Sequence, residues 1–142
     1  MKRIFVEEKW CLGCHLCEYN CAYANSGCDS MVKALKDRPL HPRIRVEEGK
    51  GVCCAVSCRH CAEPLCVKAC ISGALRKQNG VIVIDPNKCV GCYTCVLACP
   101  YGCVLPTEEG PVQKCELCLQ NAAGTPACVG GCPNRAIVYE ER

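Results

Sequence analysis

The chain has 142 residues, of which 50% are apolar, and its formal charge is +3. Cysteine supplies 20 of those apolar residues, and there is one Phe and one Trp, so side chains alone make a poor core for the one domain, or two very small ones, that such a length supports. The longest strongly apolar run, Val81-Ile82-Val83-Ile84, is far short of a membrane span. No Rossmann glycine run, P-loop or nucleophile–base pair is present, which argues against independent catalysis.

From the N-terminus, residues 4–6 read as a short strand. Cys11, Cys14, Cys17 and Cys21 then form C-x2-C-x2-C-x3-C, with a short helix expected over 18–22. A basic connector follows, with Lys33, Lys36, Arg38, Arg43, Arg45 and Lys50. It reads as a solvated linker, with docking of an acidic redox partner as the alternative. Ile44 and Val46 alternate with charged residues before Gly49-Lys50-Gly51, the pattern of a hairpin. Cys58, Cys61, Cys66 and Cys70 form C-x2-C-x4-C-x3-C, with a helix over 67–70. Residues 74–77 and 81–84 flank Asn79-Gly80, which favours a type I′ hairpin turn. Cys89, Cys92, Cys95 and Cys99 repeat the first spacing, with a helix over 96–99 and Pro100 after it. A further hairpin is expected over 104–114, turning at Glu109-Gly110. Cys115, Cys118, Cys128 and Cys132 form C-x2-C-x9-C-x3-C, followed by Pro133. Residues 137–139 read as a last strand, expected to pair with 4–6.

These spacings decide the chemistry. C-x2-C-x2-C-x3-C-P resembles the bacterial ferredoxin run, in which three thiolates hold one 4Fe–4S cube and the fourth holds a neighbouring one. Four such runs imply four cubes and an electron carrier. A secreted disulfide framework would fit the composition, but Met1-Lys2-Arg3-Ile4-Phe5-Val6-Glu7-Glu8 has no apolar leader segment. Zinc sites use separated C-x2-C pairs rather than such triplets. Each cube with its four thiolates carries about −2. Four would therefore bring the +3 chain to about −5, so the Lys and Arg residues balance cofactor charge and are weak evidence for nucleic acid. Folding is expected to be coupled to cofactor binding.

Cys11-Leu12-Gly13-Cys14 matches Cys89-Val90-Gly91-Cys92, which marks an internal repeat. The expected fold is α+β: two tandem dicluster ferredoxin units related by a pseudo-twofold, one nested in the other. Residues 1–40 with 106–142 would make the outer unit and 41–105 the inner one, with short hairpins, short helices and a cofactor-filled core.

The run Cys58-Arg59-His60-Cys61-Ala62-Glu63-Pro64-Leu65-Cys66-Val67-Lys68-Ala69-Cys70 resembles that of four-cluster iron–sulfur subunits. Those subunits serve dimethyl sulfoxide reductase, formate dehydrogenase, formate hydrogenlyase and carbon monoxide dehydrogenase. Lys114-Cys115-Glu116-Leu117-Cys118, Pro126-Ala127-Cys128 and Cys132-Pro133 look like the same family's fourth run. Ile71 in place of a proline after Cys70, with the short length, is most similar to the small ferredoxin-like subunit of carbon monoxide dehydrogenase systems. Subunits of tungsten aldehyde oxidoreductases and of formate or hydrogenase complexes are the competing reading.

The resemblance implies the ligand sets Cys11/Cys14/Cys17/Cys132, Cys115/Cys118/Cys128/Cys21, Cys58/Cys61/Cys66/Cys99 and Cys89/Cys92/Cys95/Cys70. It further implies a relay between a dehydrogenase and a second oxidoreductase or hydrogenase. The short apolar runs and the oxygen sensitivity of exposed cubes lead to the expectation of a cytoplasmic setting in an anaerobe. A bridging or polymerising module is the structural alternative. The chain stops ten residues after Cys132, so direct membrane insertion is not expected, although a separate membrane subunit is compatible.

Several residues carry two readings. Cys28, Cys53, Cys54 and Cys103 fall outside the runs and read as small buried hydrophobes, with extra ligation as the alternative. His15 and His60 lie inside runs already complete in cysteine, so hydrogen bonding to sulfur or backbone is expected of them. Trp10, Tyr19, Tyr93 and Tyr101 flank cluster cysteines and read as packing shields.

Overall fold

The computed structural model describes residues 1–108, 110–121 and 123–142. Its elements are β1 (Arg3–Val6), a 3-10 turn (Glu8–Trp10), α1 (Leu16–Ala24), α2 (Met31–Leu35), β2 (Ile44–Gly49), β3 (Val52–Ser57), α3 (Leu65–Lys68), β4 (Leu75–Gln78), β5 (Val81–Ile84), α4 (Thr94–Ala98), α5 (Ala127–Gly130) and β6 (Ile137–Glu140). The architecture is α+β, with antiparallel two-stranded ribbons β1–β6, β2–β3 and β4–β5. The chain divides into two compact units, Met1–Ser57 with Leu117–Arg142, and Cys58–Glu116.

In the first unit, β1 and β6 pair from Arg3↔Glu140 to Val6↔Ile137, the pairing expected of residues 4–6 and 137–139. Ile4 and Ile137 are buried beneath this ribbon. β2 and β3 pair in register from Ile44↔Ser57 to Gly49↔Val52. Lys50 and Gly51 both take positive φ between them, the type I′ geometry that matches strand twist. Residues 41–57 belong to this unit, whereas the sequence reading assigned them to the inner one. The reason is packing: β3 rests on the 3-10 turn and β1, and α1 rests on β2.

The second unit is built on β4–β5, whose turn, Asn79-Gly80, also has positive φ at both residues. Leu75, Ile82, Val104 and Val112 form its buried cluster together with Cys66 and Cys95. Leu105 and Gln113 exchange backbone hydrogen bonds of 2.7 and 2.8 Å. Val104 and Val112 in the buried cluster hold the segment to this unit, so residues 106–108 and 110–116 belong here rather than to the outer unit. Glu109, at the turn expected there, lies outside the described residues.

The helices α1, α3 and α4 each begin two residues earlier than spacing suggested, and α1 also runs two residues further. α3 starts after Pro64 and α4 after Tyr93, which is left-handed at φ 57°. α2, α5 and the 3-10 turn have too few residues for an apolar period to show.

Candidate metal centre

One backbone device recurs in all four cysteine runs. The residue just before the second cysteine is left-handed: Gly13 (φ 65°), His60 (46°), Gly91 (69°) and Leu117 (57°). Such a residue reverses the local curvature, which an ordinary extended or helical link does not. His15 and Tyr93, equivalent in the internal repeat, are also left-handed, at φ 61° and 57°. The repeat seen in sequence is therefore a repeat of backbone conformation.

The thiols of these loops line two apolar cavities. In the first unit, Cys11, Cys14, Cys17 and Cys132 border about 330 Å³ of space, part of it open to solvent, walled by Val46, Ala55, Ala136 and Ile137. In the second, Cys70, Cys89, Cys92 and Cys95 border about 310 Å³, likewise partly open, walled by Leu75, Ile84 and Val112. Each cavity thus combines three cysteines of one run with the last cysteine of another. Elsewhere, Cys118 lies within electrostatic reach of Cys21, and Cys58 and Cys99 within reach of Cys66. Cys115 and Cys128 are buried and Cys61 half-buried. Cys115 lies on the Cys58–Glu116 side of the unit boundary.

The fourth cysteine of every run accepts a backbone N–H. Leu75 donates to Cys70 Sγ at 3.5 Å, Cys103 to Cys99 Sγ at 3.4 Å and Ala136 to Cys132 Sγ at 3.3 Å. In these three runs the residue three places on, Gly73, Gly102 or Arg135, is left-handed and turns the chain back over the sulfur. The first run differs because α1 continues to Ala24, past Cys21. Cys21 Sγ instead accepts the Arg43 N–H at 3.2 Å, with the Asn25 amide Nδ2 at 3.6 Å. Apolar walls, grouped thiols and aimed N–H donors fit thiolate ligation of an iron–sulfur cluster.

Burial pushes the Cys17 thiol up to about 11, with the Glu18 carboxylate adding to it. Burial also raises Cys21, Cys66 and Cys95. Cys70 is lowered, because burial is outweighed by N–H donors at Leu75, Ala74 and Ser72 and by the Ser72 hydroxyl. Cys92 is lowered by the Thr94 hydroxyl and N–H. A raised thiol holds its proton at neutral pH, and a metal must displace it.

Of the two histidines, His60 is wholly buried and its Nδ1 accepts the Ile82 N–H at 3.1 Å, the backbone role expected of it. His15 instead meets carboxylates, with Nδ1 2.8 Å from Glu18 and Nε2 3.4 Å from Glu48. Glu18 also accepts the Val46 N–H at 2.6 Å, tying α1 to β2. Glu116 does the same for Ile84 at 2.8 Å. Neither acid was singled out in the sequence, where only its position beside a cysteine hints at a role.

The extra cysteines stand apart from the two cavity linings. Cys28 Sγ lies 3.5 Å from an Arg38 nitrogen, Cys54 Sγ 3.6 Å from the Ala55 carbonyl and Cys103 Sγ 3.4 Å from the Tyr101 carbonyl. Cys53 lies against Gly13 in the first loop. Trp10, Tyr19, Tyr93 and Tyr101 remain substantially exposed, so they shield less than expected. Among the described residues no helix is long and apolar enough to cross a membrane.

Comparison with known proteins agrees with this chemistry. Residues 50–142 match the 4Fe-4S dicluster domain family. An iron-sulfur protein of Rhodospirillum rubrum is 37% identical, over 94% of this chain and 79% of its own length. The Escherichia coli K12 electron transport protein HydN is 30% identical, over 98% of this chain and 87% of its own. The putative oxidoreductase UacF of the same strain is 40% identical over 96% of this chain, which spans 21% of that longer protein. The chain belongs to the 4Fe–4S dicluster family of ferredoxin-like iron–sulfur proteins.

Proposed function

We propose that the chain is a non-catalytic relay carrying low-potential electrons through four 4Fe–4S cubes. The donor is a dehydrogenase, carbon monoxide dehydrogenase first among them, and the acceptor a second oxidoreductase or hydrogenase. The observation that carries the reading is the make-up of the two cavities, each lined by three cysteines of one run and the last of another. The neighbourhoods of Cys21 with Cys118, and of Cys66 with Cys58 and Cys99, support the other two sets.

On this reading the chain is two dicluster units in tandem, one nested in the other. The first cube takes Cys11, Cys14, Cys17 and Cys132, and its partner Cys115, Cys118, Cys128 and Cys21. The inner pair takes Cys58, Cys61, Cys66 and Cys99, and Cys89, Cys92, Cys95 and Cys70. Each cube, when bound, takes up and returns one electron. The polypeptide fixes the cubes in place, keeps water from them with apolar walls and directs N–H groups at their thiolates, which sets potential. The resemblance to carbon monoxide dehydrogenase subunits supports the donor and a cytoplasmic, anaerobic setting.

Iron and acid-labile sulfide on anaerobically purified protein test the count. About 16 of each per chain is expected, and about four metal ions without sulfide would replace the reading with zinc. Serine variants test the pairing. Cys132→Ser and Cys11→Ser should disturb one and the same reduced-cluster EPR signal, while Cys70→Ser should disturb another. Disturbance of different signals by the first two would overturn the pairing.

A further inference from the structure

Among the described residues the buried polar side chains are Ser57, His60 and Lys114. Ser57 is neutral. His60 accepts the Ile82 N–H at Nδ1, so its ring is the neutral tautomer protonated at Nε2. Lys114 therefore brings the full charge in this group, and it is wholly buried.

Two carbonyls hold its ammonium. Nζ donates to the Ile82 oxygen in a short hydrogen bond and to the Cys115 oxygen at 2.6 Å. Through its N–H the same Ile82 residue reaches His60, between Cys58 and Cys61. Lys114 is thus bound to the loop of the second run through a single residue of β5. Its field also falls on Cys66, where it favours the thiolate against burial. Carbonyl dipoles alone do not repay the desolvation of an ammonium. A nearby anion must contribute, and the geometry supplies thiolates on two sides, those of the second run reached through Ile82 and that of the adjacent Cys115.

We propose that Lys114 is a potential-setting residue, a buried countercharge that makes the cube held by Cys58, Cys61, Cys66 and Cys99 the most readily reduced of the four. The inference rests on the four-cube reading given above. Reduction adds one negative charge to that cube and no proton. The attraction of the Lys114 side chain strengthens as the charge on the cube grows. An electron entering the chain then comes to rest on this cube before it leaves.

The test compares wild type, Lys114→Met and Lys114→Arg, purified anaerobically, by iron and sulfide content and by EPR-monitored redox titration. With all four cubes retained, Lys114→Met should move one midpoint negative by at least a tenfold change in the reduced-to-oxidised ratio, 59 mV for one electron. The midpoint of the cube that takes Cys115 should move less, the remaining two should stay, and Lys114→Arg should move the first midpoint far less. A loaded Lys114→Met protein with unmoved midpoints, or an equal shift in Lys114→Arg, overturns the inference and leaves the four-cube reading standing. Should Lys114→Met fail to load, the wild type decides alone. One electron equivalent per chain should change the paramagnetic NMR shifts of the Cys58, Cys61, Cys66 and Cys99 β-protons first. A change that comes first on another set of cysteines overturns it. Iron and sulfide in wild type far from about 16 each would bring down both readings together.

Discussion

Arg43 reaches back 22 residues to give its main-chain N–H to Cys21 Sγ at 3.2 Å. The other runs supply this donor four or five residues after their last cysteine. The first run cannot, because α1 carries on past Cys21 and its N–H groups point along the helix. The connector from α1 to β2 is therefore part of the site.

Arg43→Pro should show this. It removes the donor, and a hydrogen bond to a charged group is worth about 1.5–3 kcal/mol. The midpoint of one cube should fall and its stability with it. Arg43→Ala keeps the N–H and should leave that midpoint close to wild type, since the donor is backbone. Redox titration of both variants is the measurement, and equal shifts in the two would sink the assignment.

Gly13 and Gly91 are equivalent in the repeat, both left-handed, yet differently surrounded. A Cβ on Gly13 would lie 3.0 Å from Cys53 Sγ and 3.3 Å from Glu48 Oε1, while one on Gly91 meets nothing within 4 Å. Gly91→Ala should cost only the backbone term, about 1–2 kcal/mol. Gly13→Ala should cost more, and Cys53→Ala in the same chain should recover the excess. The thermal midpoint of cluster absorbance under anaerobic conditions reads all three.

Gly131 permits close approach of α5 and α1. A Cβ there would lie 2.3 Å from Asn20 Nδ2 and 2.9 Å from Asn20 Cβ. The Asn20 amide is itself held by the Leu16 carbonyl at 2.8 Å. Gly131→Ala should destabilise by about 1–3 kcal/mol, the usual cost of overpacking. Asn20→Ala should rescue it only in part, because Asn20 Cβ remains. Loss of iron on mild heating is a suitable readout, and full rescue would show that the amide alone makes the contact.

The β1–β6 ribbon carries a pH dependence of its own. The Arg142 guanidinium hydrogen-bonds Glu7 at 2.9 Å and holds its carboxyl below the usual glutamate range. A depressed carboxyl stabilises the folded state fully above the unfolded value of about 4.3, and the effect fades as pH falls through the lower folded value. The pair is exposed, so local fraying rather than global unfolding is expected. Corrected amide exchange at Glu7, whose N–H bonds the Ala136 carbonyl at 2.8 Å, should be faster in Glu7→Gln than in wild type at pH 6. The difference should shrink by pH 4. A difference independent of pH would remove the carboxylate from the explanation.

What the sequence made legible was local. Asn79-Gly80, Gly49-Lys50-Gly51 and the alternating residues beside them specify ribbons within a few residues, and ribbons form there. The cysteine spacings repeat as backbone conformations because each loop is short and self-contained. What stayed hidden depends on distant partners. Lys114 and His60 look like loop residues, yet one β5 residue, Ile82, buries both across 32 and 22 positions. Residues 41–57 carry no mark of the unit they join, because that is decided by packing against β1 and the 3-10 turn. Nor does any local pattern announce that Cys21 takes its donor from Arg43.

The division at Ser57 and Glu116 also sets a calendar for the ribosome. By the time residue 116 has been added, every part of the second unit has been made, whereas the first still lacks Cys118, Cys128, Cys132 and the strand that closes on β1. Opening thiols emerge first and wait longest for their companions. For that interval Cys11, Cys14, Cys17 and Cys21 stand without the closing residues of their unit, so the oldest cysteines in the chain are the ones that most need protection from oxygen during synthesis.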